Sequence, residues 1–284
     1  MPLCAIKAMD KRRMCPNCRA FITTDDKVCP YCEAKVGPRA IDRRSPSDVL
    51  GGLIPHARFT TMMILLINVG FFLATLLYTS RITGQMGLDP DGQALLDFGA
   101  KYGRPILIGG QWWRLITAGF LHGGIMHILM NSWVLFDLGA QVEEIYGSSR
   151  MLVIYFISTV GGFYASALWS AAISVGASAG LFGLVGAMIA LGVRHRNAMG
   201  AAIRGMYLRG AVIGLAFGMI GAFHVDNAAH IGGLAAGFGV AYLAGTPGRE
   251  GVVENVWRAA SWFCILITVV SFLKMYLWFA ASAQ

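Results

Sequence analysis

The chain contains runs of apolar residues that are long enough to cross a lipid bilayer. The clearest are residues 59–79, 151–173 and 259–281, and each reaches the roughly 20 apolar residues that a hydrocarbon core requires. Only 13% of the 284 residues are charged, which is about half the share found in ordinary soluble domains. Because so little charge cannot cover a water-soluble body of this size, the sequence predicts a polytopic membrane protein.

Seven spans are expected, and all must be helices because lipid offers no partner to an unpaired backbone amide. They are placed at about 59–79, 115–139, 151–172, 177–193, 208–223, 228–245 and 258–280. Residues 1–58 hold 11 of the 23 Lys and Arg against six Asp and Glu, and the short loops after the second, fourth and sixth spans also contain arginine. The positive-inside rule therefore predicts a cytoplasmic N-terminus, with even-numbered spans that start on the outer side. The basic residues of the long 80–114 loop, Lys101 among them, do not fit this pattern, but long loops follow the rule only weakly.

The cysteines predict a small metal-binding module before the membrane region. Cys15 and Cys18 form one C-P-x-C pair, and Cys29 and Cys32 form a second pair ten residues later. Each pair matches a knuckle that presents two thiolates to one tetrahedral Zn²⁺ ion. We therefore predict a zinc-ribbon-like module in residues 1–35 that holds a structural zinc ion, followed by a linker in residues 36–58. Two redox dithiols are the alternative, although no βαβ pattern surrounds the pairs.

The role of this module is left open by its sequence. So short a segment has almost no core of its own, so metal binding would supply most of its folding free energy. The module could dock a cytosolic protein partner, orient the membrane region or act as a stability element. Nucleic acid is not expected as a partner, because two or three basic residues would bind it only weakly.

Four polar side chains lie inside the predicted spans. They occur near the starts of three spans that run from the outer side inward: His127 and Asn131 in the second, Ser178 in the fourth and His230 in the sixth. All four are therefore expected at one depth, in the outer part of the membrane. Polar and ionisable groups inside a membrane are costly and usually face a cavity or one another. Their matched depth indicates a site.

Ser178 and His230 are candidates for a nucleophile and its base. A serine hydroxyl reacts poorly until a base takes its proton, and histidine is the usual base near neutral pH. The fourth and sixth spans can approach closely because both carry small residues at helical spacing, including Gly233 and Gly237 after His230. Asp226 precedes His230 by four residues, and we interpret it as a polar residue of the preceding turn rather than as a third catalytic group.

Donors for a developing oxyanion are also available. His127 and Asn131 are four residues apart, so they lie on one helical face, and both side chains can donate a hydrogen bond. The Ser178 backbone N–H is free of intrahelical partners if it lies in a first helical turn. Gly176-Ala177-Ser178-Ala179-Gly180 also fits the G-x-S-x-G elbow of soluble hydrolases, but that elbow needs a preceding strand, and residues 151–175 read as a membrane helix. A metalloprotease H-E-x-x-H motif is absent from the sequence.

The polar residues belong to short motifs that are spread over the membrane region. The motifs are Trp113-Arg114, His122-(x4)-His127-(x3)-Asn131, Gly176-Ala177-Ser178 and Ala229-His230-(x2)-Gly233-(x3)-Gly237. Together they resemble those of the rhomboid family of intramembrane serine proteases. The resemblance covers about residues 59–245, the six-helix core, and Glu143 and Gly147 after the second span are also in register. The seventh span is similar to that of the six-plus-one form of the family.

The resemblance implies a Ser–His dyad that works without a catalytic acid or a cofactor and cleaves transmembrane substrates near their outer ends. Ser178 would be the nucleophile and His230 the general base. His127, Asn131 and the Ser178 backbone N–H would form the oxyanion hole. The 80–114 loop resembles the membrane-embedded first loop of the family.

Further residues take supporting roles by the same resemblance. His122 resembles a polar residue near the active-site water, and Phe182 falls where the family often has an aromatic ring packed beneath the base. Gly176, Gly233 and Gly237 are the supporting glycines. One position departs from the family, because Ala179 follows the serine where the usual signature G-x-S-G has glycine.

The sequence therefore predicts an all-α polytopic membrane protein. It would combine a zinc-ribbon-like head with a six-helix rhomboid-like core in residues 59–245, and residues 246–284 would add a loop and a seventh transmembrane helix. The predicted function is that of an intramembrane serine endopeptidase in a bacterial inner or plasma membrane, with the active site opening to the outer side. The alternative is a catalytically inactive membrane adaptor that binds transmembrane clients, which would have no need of Ser178 and His230.

Overall fold

The computed structural model describes residues 12–15, 17–23, 26–36, 58–220, 225–247 and 251–282. It divides into two compact units, Met1–Leu53 and Ile54–Gln284, and the division falls inside the predicted linker 36–58. The first unit contains two short antiparallel strands, β1 (Arg12–Met14) and β2 (Phe21–Thr23), with Met14 opposite Phe21. Among the described residues of this unit, Cys15, Ile22, Cys29 and Val36 are buried together, so two of the four paired cysteines belong to its small core.

The second unit is helical. Its helices are α1 (Phe59–Thr83), α2 (Gly92–Asp97), α3 (Gly103–Leu107), α4 (Arg114–Thr117), α5 (Ile125–Val134), α6 (Ala140–Trp169), α7 (Ser178–Arg194), α8 (Ala198–Met219), α9 (Asn227–Ala244) and α10 (Val252–Ser282). A π-helical turn, Leu135–Gly139, joins α5 to α6. Within the described residues, Phe59–Thr83, the continuous stretch Ile125–Trp169 and Val252–Ala281 are long and apolar enough to cross a membrane. The predicted all-α membrane fold is confirmed.

The helices that correspond to the second and fifth predicted spans have different boundaries. The span placed at 115–139 begins at Ile125, because residues 115–121 are apolar for another reason: this stretch folds into α4 and a 3-10 turn, and Ile116, Phe120 and Leu121 are buried inside the protein. The span placed at 208–223 corresponds to α8, which begins ten residues earlier at Ala198. The first turns of α8 contain polar residues such as Arg204, so a search for apolar runs does not detect where this helix begins.

A kink divides the long stretch Ile125–Trp169 into two segments. Gly147 has φ 76° and ψ 156°, a conformation outside the helical region that glycine adopts more readily than other residues. Next to the kink, the Glu143 carboxylate accepts hydrogen bonds from the backbone N–H groups of Thr60 and Thr61, at 2.8 and 2.9 Å. These are orphan donors at the start of α1, so Glu143 caps that helix from a distance of more than 80 residues in sequence.

Helices α7 and α9 pack with almost no side chains between them. A Cβ atom added to Gly233 would overlap the Ala179 carbonyl, and one added to Gly237 would overlap the Gly183 carbonyl. Small residues allow this approach, which in a membrane supplies close van der Waals packing between helices. The contact brings the first turn of α7 beside the first turn of α9, and these two turns carry Ser178 and His230.

The C-terminal helix α10 begins six residues before the predicted span 258–280. Its first turn contains Glu254, whose carboxylate binds the guanidinium of the buried Arg150 at 2.5 and 2.9 Å. An apolar run does not reveal this polar first turn. Farther along, Phe272 of α10 stacks on Phe71 of α1 with ring centroids 4.3 Å apart, so α10 contacts α6 near its start and α1 in its second half.

Candidate active site

Ser178 and His230 lie side by side at the starts of their helices. Ser178 is the first residue of α7 and His230 lies in the first turn of α9. The Ser178 Oγ atom is 2.9 Å from His230 Nε2, which is hydrogen-bond distance. His230 is buried and Ser178 is half-buried. The two residues are 52 positions apart in sequence, and the glycine contact between α7 and α9 brings them together.

The imidazole of His230 is held by an aromatic ring. Phe182, one turn after Ser178, stacks on it with centroids 4.1 Å apart and planes 13° apart. The tip of the Phe182 ring points toward α8, where a Cβ atom added to Gly214 would lie 2.8 Å from it. Phe182 therefore fills the space between α8 and the histidine, and its ring restricts the orientation of the imidazole.

Asp226 does not form a triad with His230. Its carboxylate accepts a hydrogen bond from Ala229 N at 3.0 Å and so caps α9. The other carboxylate oxygen accepts a hydrogen bond from the hydroxyl of Ser166. Within the described part of the chain, His230 Nδ1 has no hydrogen-bond partner. The arrangement is thus a serine–histidine pair, with Asp226 acting on the helix that carries the histidine.

His127 faces the site across Gly176. A Cβ atom placed on Gly176 would lie 2.7 Å from His127 Nε2 and 3.6 Å from Ser178 Oγ. The backbone N–H of Gly123 donates to His127 Nδ1 at 3.3 Å. Because Nδ1 accepts, a neutral His127 carries its proton on Nε2, the nitrogen beside Gly176. A hydrogen-bond donor is therefore available close to Ser178.

The other predicted polar residues have different surroundings. Asn131 is buried, and its Nδ2 donates to the His127 carbonyl at 2.9 Å, so one amide hydrogen is used within its own helix. His122 is fully buried, and its ring contacts the His127 ring edge to face at 5.2 Å between centroids. Neither ring nitrogen of His122 has a hydrogen-bond partner among the described residues. The structure thus places the His122 ring against the His127 ring.

Ala179, the residue that departs from the family signature, faces a neighbouring helix. It is fully buried, and a Cβ atom added to Gly162 of α6 would lie 2.9 Å from the Ala179 methyl carbon. The methyl group thus occupies space that Gly162 leaves free. The methyl group of Ala179 therefore packs against α6.

The four paired cysteines of the first unit form a candidate metal centre. The sulfur atoms of Cys15, Cys18, Cys29 and Cys32 all lie within 4.8 Å of one another. Two of the separations, Cys15 to Cys32 and Cys18 to Cys29, are 3.7 Å. A tetrahedral ion with Zn–S bonds of about 2.3 Å requires sulfur atoms about 3.8 Å apart. The cluster therefore has the size of a four-cysteine metal site and could hold a metal ion.

The backbone repeats the same turn around each cysteine pair. Arg19 N donates to Cys15 O, and Glu33 N donates to Cys29 O, both at 2.9 Å. Arg19 and Glu33 both have positive φ, at 61° and 55°. The backbone N–H of Ala34 and the side-chain amide of Asn17 lower the pKa of Cys32, because both donate to its sulfur and favour the thiolate. Two matching knuckles thus face each other.

The site and the fold together define a class of protein: a helical membrane protein with a Ser–His pair at the starts of two of its helices. Comparison with known proteins gives the family. Residues 109–247 match the protein-family model of the Rhomboid domain, and this range contains Ser178, His230, His127 and Asn131. The chain therefore contains a rhomboid domain, as the sequence motifs predict.

Several curated relatives support this assignment. The chain is 37% identical over 155 residues to the rhomboid protease GluP of Bacillus subtilis (strain 168), a match that covers 55% of this chain and 30% of that protein. It is 37% identical over 161 residues to the mitochondrial RHOMBOID-like protein 6 of Arabidopsis thaliana, covering 55% of this chain and 51% of that protein. Rhomboid-like protease 1 of Toxoplasma gondii is 28% identical over 263 residues, covering 86% and 87% of the two chains. The first match therefore spans less than a third of that relative's length, and the second spans about half.

One residue close to the site was not singled out from the sequence. Lys101 counts in the sequence only as one basic residue of the 80–114 loop, but its side chain is fully buried and bonds the segment that leads to Ser178. The signal was present, since a lysine among apolar and small residues needs a partner when it is buried. That partner is a pair of backbone carbonyls, which no side-chain motif reveals.

Proposed function

We propose that this protein is an intramembrane serine endopeptidase that cleaves transmembrane segments of membrane proteins through Ser178 and His230. The observation that carries the proposal is the 2.9 Å contact between Ser178 Oγ and His230 Nε2 inside a rhomboid domain. The tautomer with the proton on Nδ1 leaves Nε2 free to accept the serine proton.

In the proposed reaction, Ser178 Oγ attacks the carbonyl carbon of the scissile peptide bond while His230 Nε2 takes its proton. The negative charge develops on the carbonyl oxygen, and donors at the site stabilise it. His127 Nε2–H and the Ser178 backbone N–H at the start of α7 are suited to this role, because both are preorganised and the helix N-terminus favours negative charge. Asn131 is the third donor of the proposed oxyanion hole, through the amide hydrogen that its own helix does not use.

The imidazolium then gives its proton to the departing amine, which leaves with the C-terminal part of the substrate. A water molecule, deprotonated by the same Nε2 atom, hydrolyses the ester on Ser178 and regenerates the enzyme. Phe182 keeps the imidazole in one plane through these proton transfers, because its ring stacks on His230 at 4.1 Å. His122 packs against the His127 ring and is suited to hold water near the site.

We further propose that the four-cysteine cluster holds a structural Zn²⁺ ion and that this unit lies on the cytoplasmic side. Four thiolates at tetrahedral spacing suit zinc, which needs no redox partner and stabilises modules that have little core. The unit could then dock a cytosolic protein. The active site would open toward the outer side, as the distribution of basic residues favours.

The test is cleavage of a purified single-span substrate by the full chain and by its Ser178→Ala variant, both in proteoliposomes. The proposal expects the native chain to release two fragments and the variant to release none. If neither protein cleaves any of a panel of spans with small residues near their outer ends, a non-catalytic adaptor is the better account. If both cleave equally, Ser178 is not the nucleophile.

A further inference from the structure

The segment that leads into Ser178 is hydrogen-bonded at every second residue, first by Lys101 of the 80–114 loop and then by Ala118. The carbonyl oxygens of Ser170 and Ala172 accept hydrogen bonds from Lys101 Nζ, at 2.7 and 3.0 Å. Ser174 exchanges two backbone hydrogen bonds of 3.0 Å with Lys101. Gly176 N then donates to Ala118 O at 2.9 Å. Residues 170–176 therefore contain one isolated β-bridge at Ser174, and Lys101 makes four of the five hydrogen bonds above through its side chain and its backbone.

The burial of Lys101 makes these contacts energetically important. A buried ammonium group is costly unless its three N–H donors find partners. Ser170 lies at the C-terminal end of α6, where the last carbonyls carry partial negative charge, and the last turn of α6 contains no basic residue of its own. Lys101 thus supplies the positive charge that this helix end lacks. Asp226, which caps the helix of His230, also attracts Lys101 electrostatically.

The backbone around Lys101 approaches α6 closely. A Cβ atom added to Gly103 would lie 3.1 Å from the Ala167 carbonyl oxygen and 3.2 Å from that of Ser170. This leaves little room for the loop to shift relative to the end of α6. A change at Lys101 is therefore transmitted to residues 170–177, which connect that end to Ser178.

We propose that Lys101 is a positioning residue for the active site. Its ammonium group fixes the segment 170–177, and this segment sets Gly176 opposite His127 and the first turn of α7 opposite His230. Lys101 does not touch the substrate, so it acts on the geometry in which Ser178 attacks and the oxyanion is received. This inference rests on the proposed protease function for its kinetic consequences, but its structural part can be measured without activity.

The kinetic test compares Lys101→Met with the native chain. Methionine keeps the length of the side chain but donates no hydrogen bond, so residues 170–177 lose two contacts. We expect kcat to fall about 10- to 100-fold while KM stays within about twofold, because a small misplacement of the attacking group costs rate rather than binding. The kcat of Lys101→Gln is expected to lie between those of Lys101→Met and the native chain. Lys101→Arg keeps the charge and the donors, so it should retain most of the native kcat.

The matched control is Arg150→Met, which also removes a buried cation but disrupts the contact with Glu254 on α10. It is expected to lower Tm without the selective loss of kcat. If the Lys101 variants that fold lose kcat only in proportion to Tm, as Arg150→Met does, the positioning role is wrong.

Backbone hydrogen exchange tests the positioning role of Lys101 independently of catalysis. In the Ser178→Ala background, Lys101→Met should speed exchange at the Ser174 and Gly176 amides at least about tenfold and leave the α1 amides unchanged. Unchanged exchange in residues 170–177 would overturn the inference. Because this readout needs no substrate, a failure of the protease proposal and a failure of the Lys101 inference give different results.

Discussion

A methyl group at Gly176 is expected to disable the site by displacing His127. In Gly176→Ala, the added carbon would lie 2.7 Å from His127 Nε2, closer than two such atoms approach, so the imidazole must move. Loss of one oxyanion donor costs about 100- to 1,000-fold in kcat. Gly176 also has φ +131°, which an alanine adopts only at a cost of about 1–3 kcal/mol in folding free energy. The loss in kcat, equivalent to about 2.7–4 kcal/mol, should therefore exceed the loss in folding free energy.

The assay is cleavage of a transmembrane substrate in proteoliposomes, with Tm measured on the same preparations. Gly70→Ala is the control, because a Cβ atom at that exposed helical position would have nothing within 4 Å, and it should cleave at the native rate. A double-mutant cycle separates the two costs. In the His127→Ala background there is no imidazole to displace, so adding Gly176→Ala should lower kcat little further. Native activity of Gly176→Ala, or full additivity of the two losses, would refute this reasoning.

Three further changes test other parts of the account. Ala179→Gly should keep kcat within about threefold of native, because the methyl packs on Gly162 and not on Ser178; a loss above about tenfold in the cleavage assay would show that this methyl matters for catalysis. Phe182→Leu should lower kcat about 2- to 10-fold, since a stacked ring contributes roughly 0.5–1.5 kcal/mol, and an unchanged kcat would show that the stacking does not position His230. Cys15→Ser should abolish stoichiometric zinc in metal analysis of the purified chain, whereas undiminished zinc would place the metal elsewhere.

The helices whose apolar runs suit a lipid environment could be predicted from the sequence. Apolar runs placed α1, α7 and α9 to within a few residues, because lipid requires a helix wherever such a run crosses it. The same reasoning failed at residues 115–121, whose apolar side chains are buried against protein. An apolar run does not distinguish contact with lipid from contact with a protein core. It failed again at the start of α10, where Glu254 pairs with a residue 104 positions away.

The candidate site shows a similar division. The proximity of Ser178 to His230 could be predicted because both residues lie near the starts of spans that run in the same direction. The spacing of the glycines in α9 indicated the helix contact that brings the two residues together. The side-chain partners were not predictable in this way. These partners depend on the three-dimensional path of the chain. Examples are the hydrogen bond of Asn131 to its own helix, that of Asp226 to Ser166 and those of Lys101 to two backbone carbonyls.

The central claim, that His230 activates Ser178 as a nucleophile, is tested most directly by covalent labelling. A fluorophosphonate probe reacts with serine hydroxyls that a neighbouring base has activated. The full chain in proteoliposomes would be treated with the probe and digested, and the modified residue would be identified by mass spectrometry in the native chain and in His230→Ala. The account predicts one modified serine, Ser178, and at least about a hundredfold slower labelling in His230→Ala. Labelling of Ser178 at the same rate in both proteins, or no labelling of Ser178 in the native chain, would contradict it.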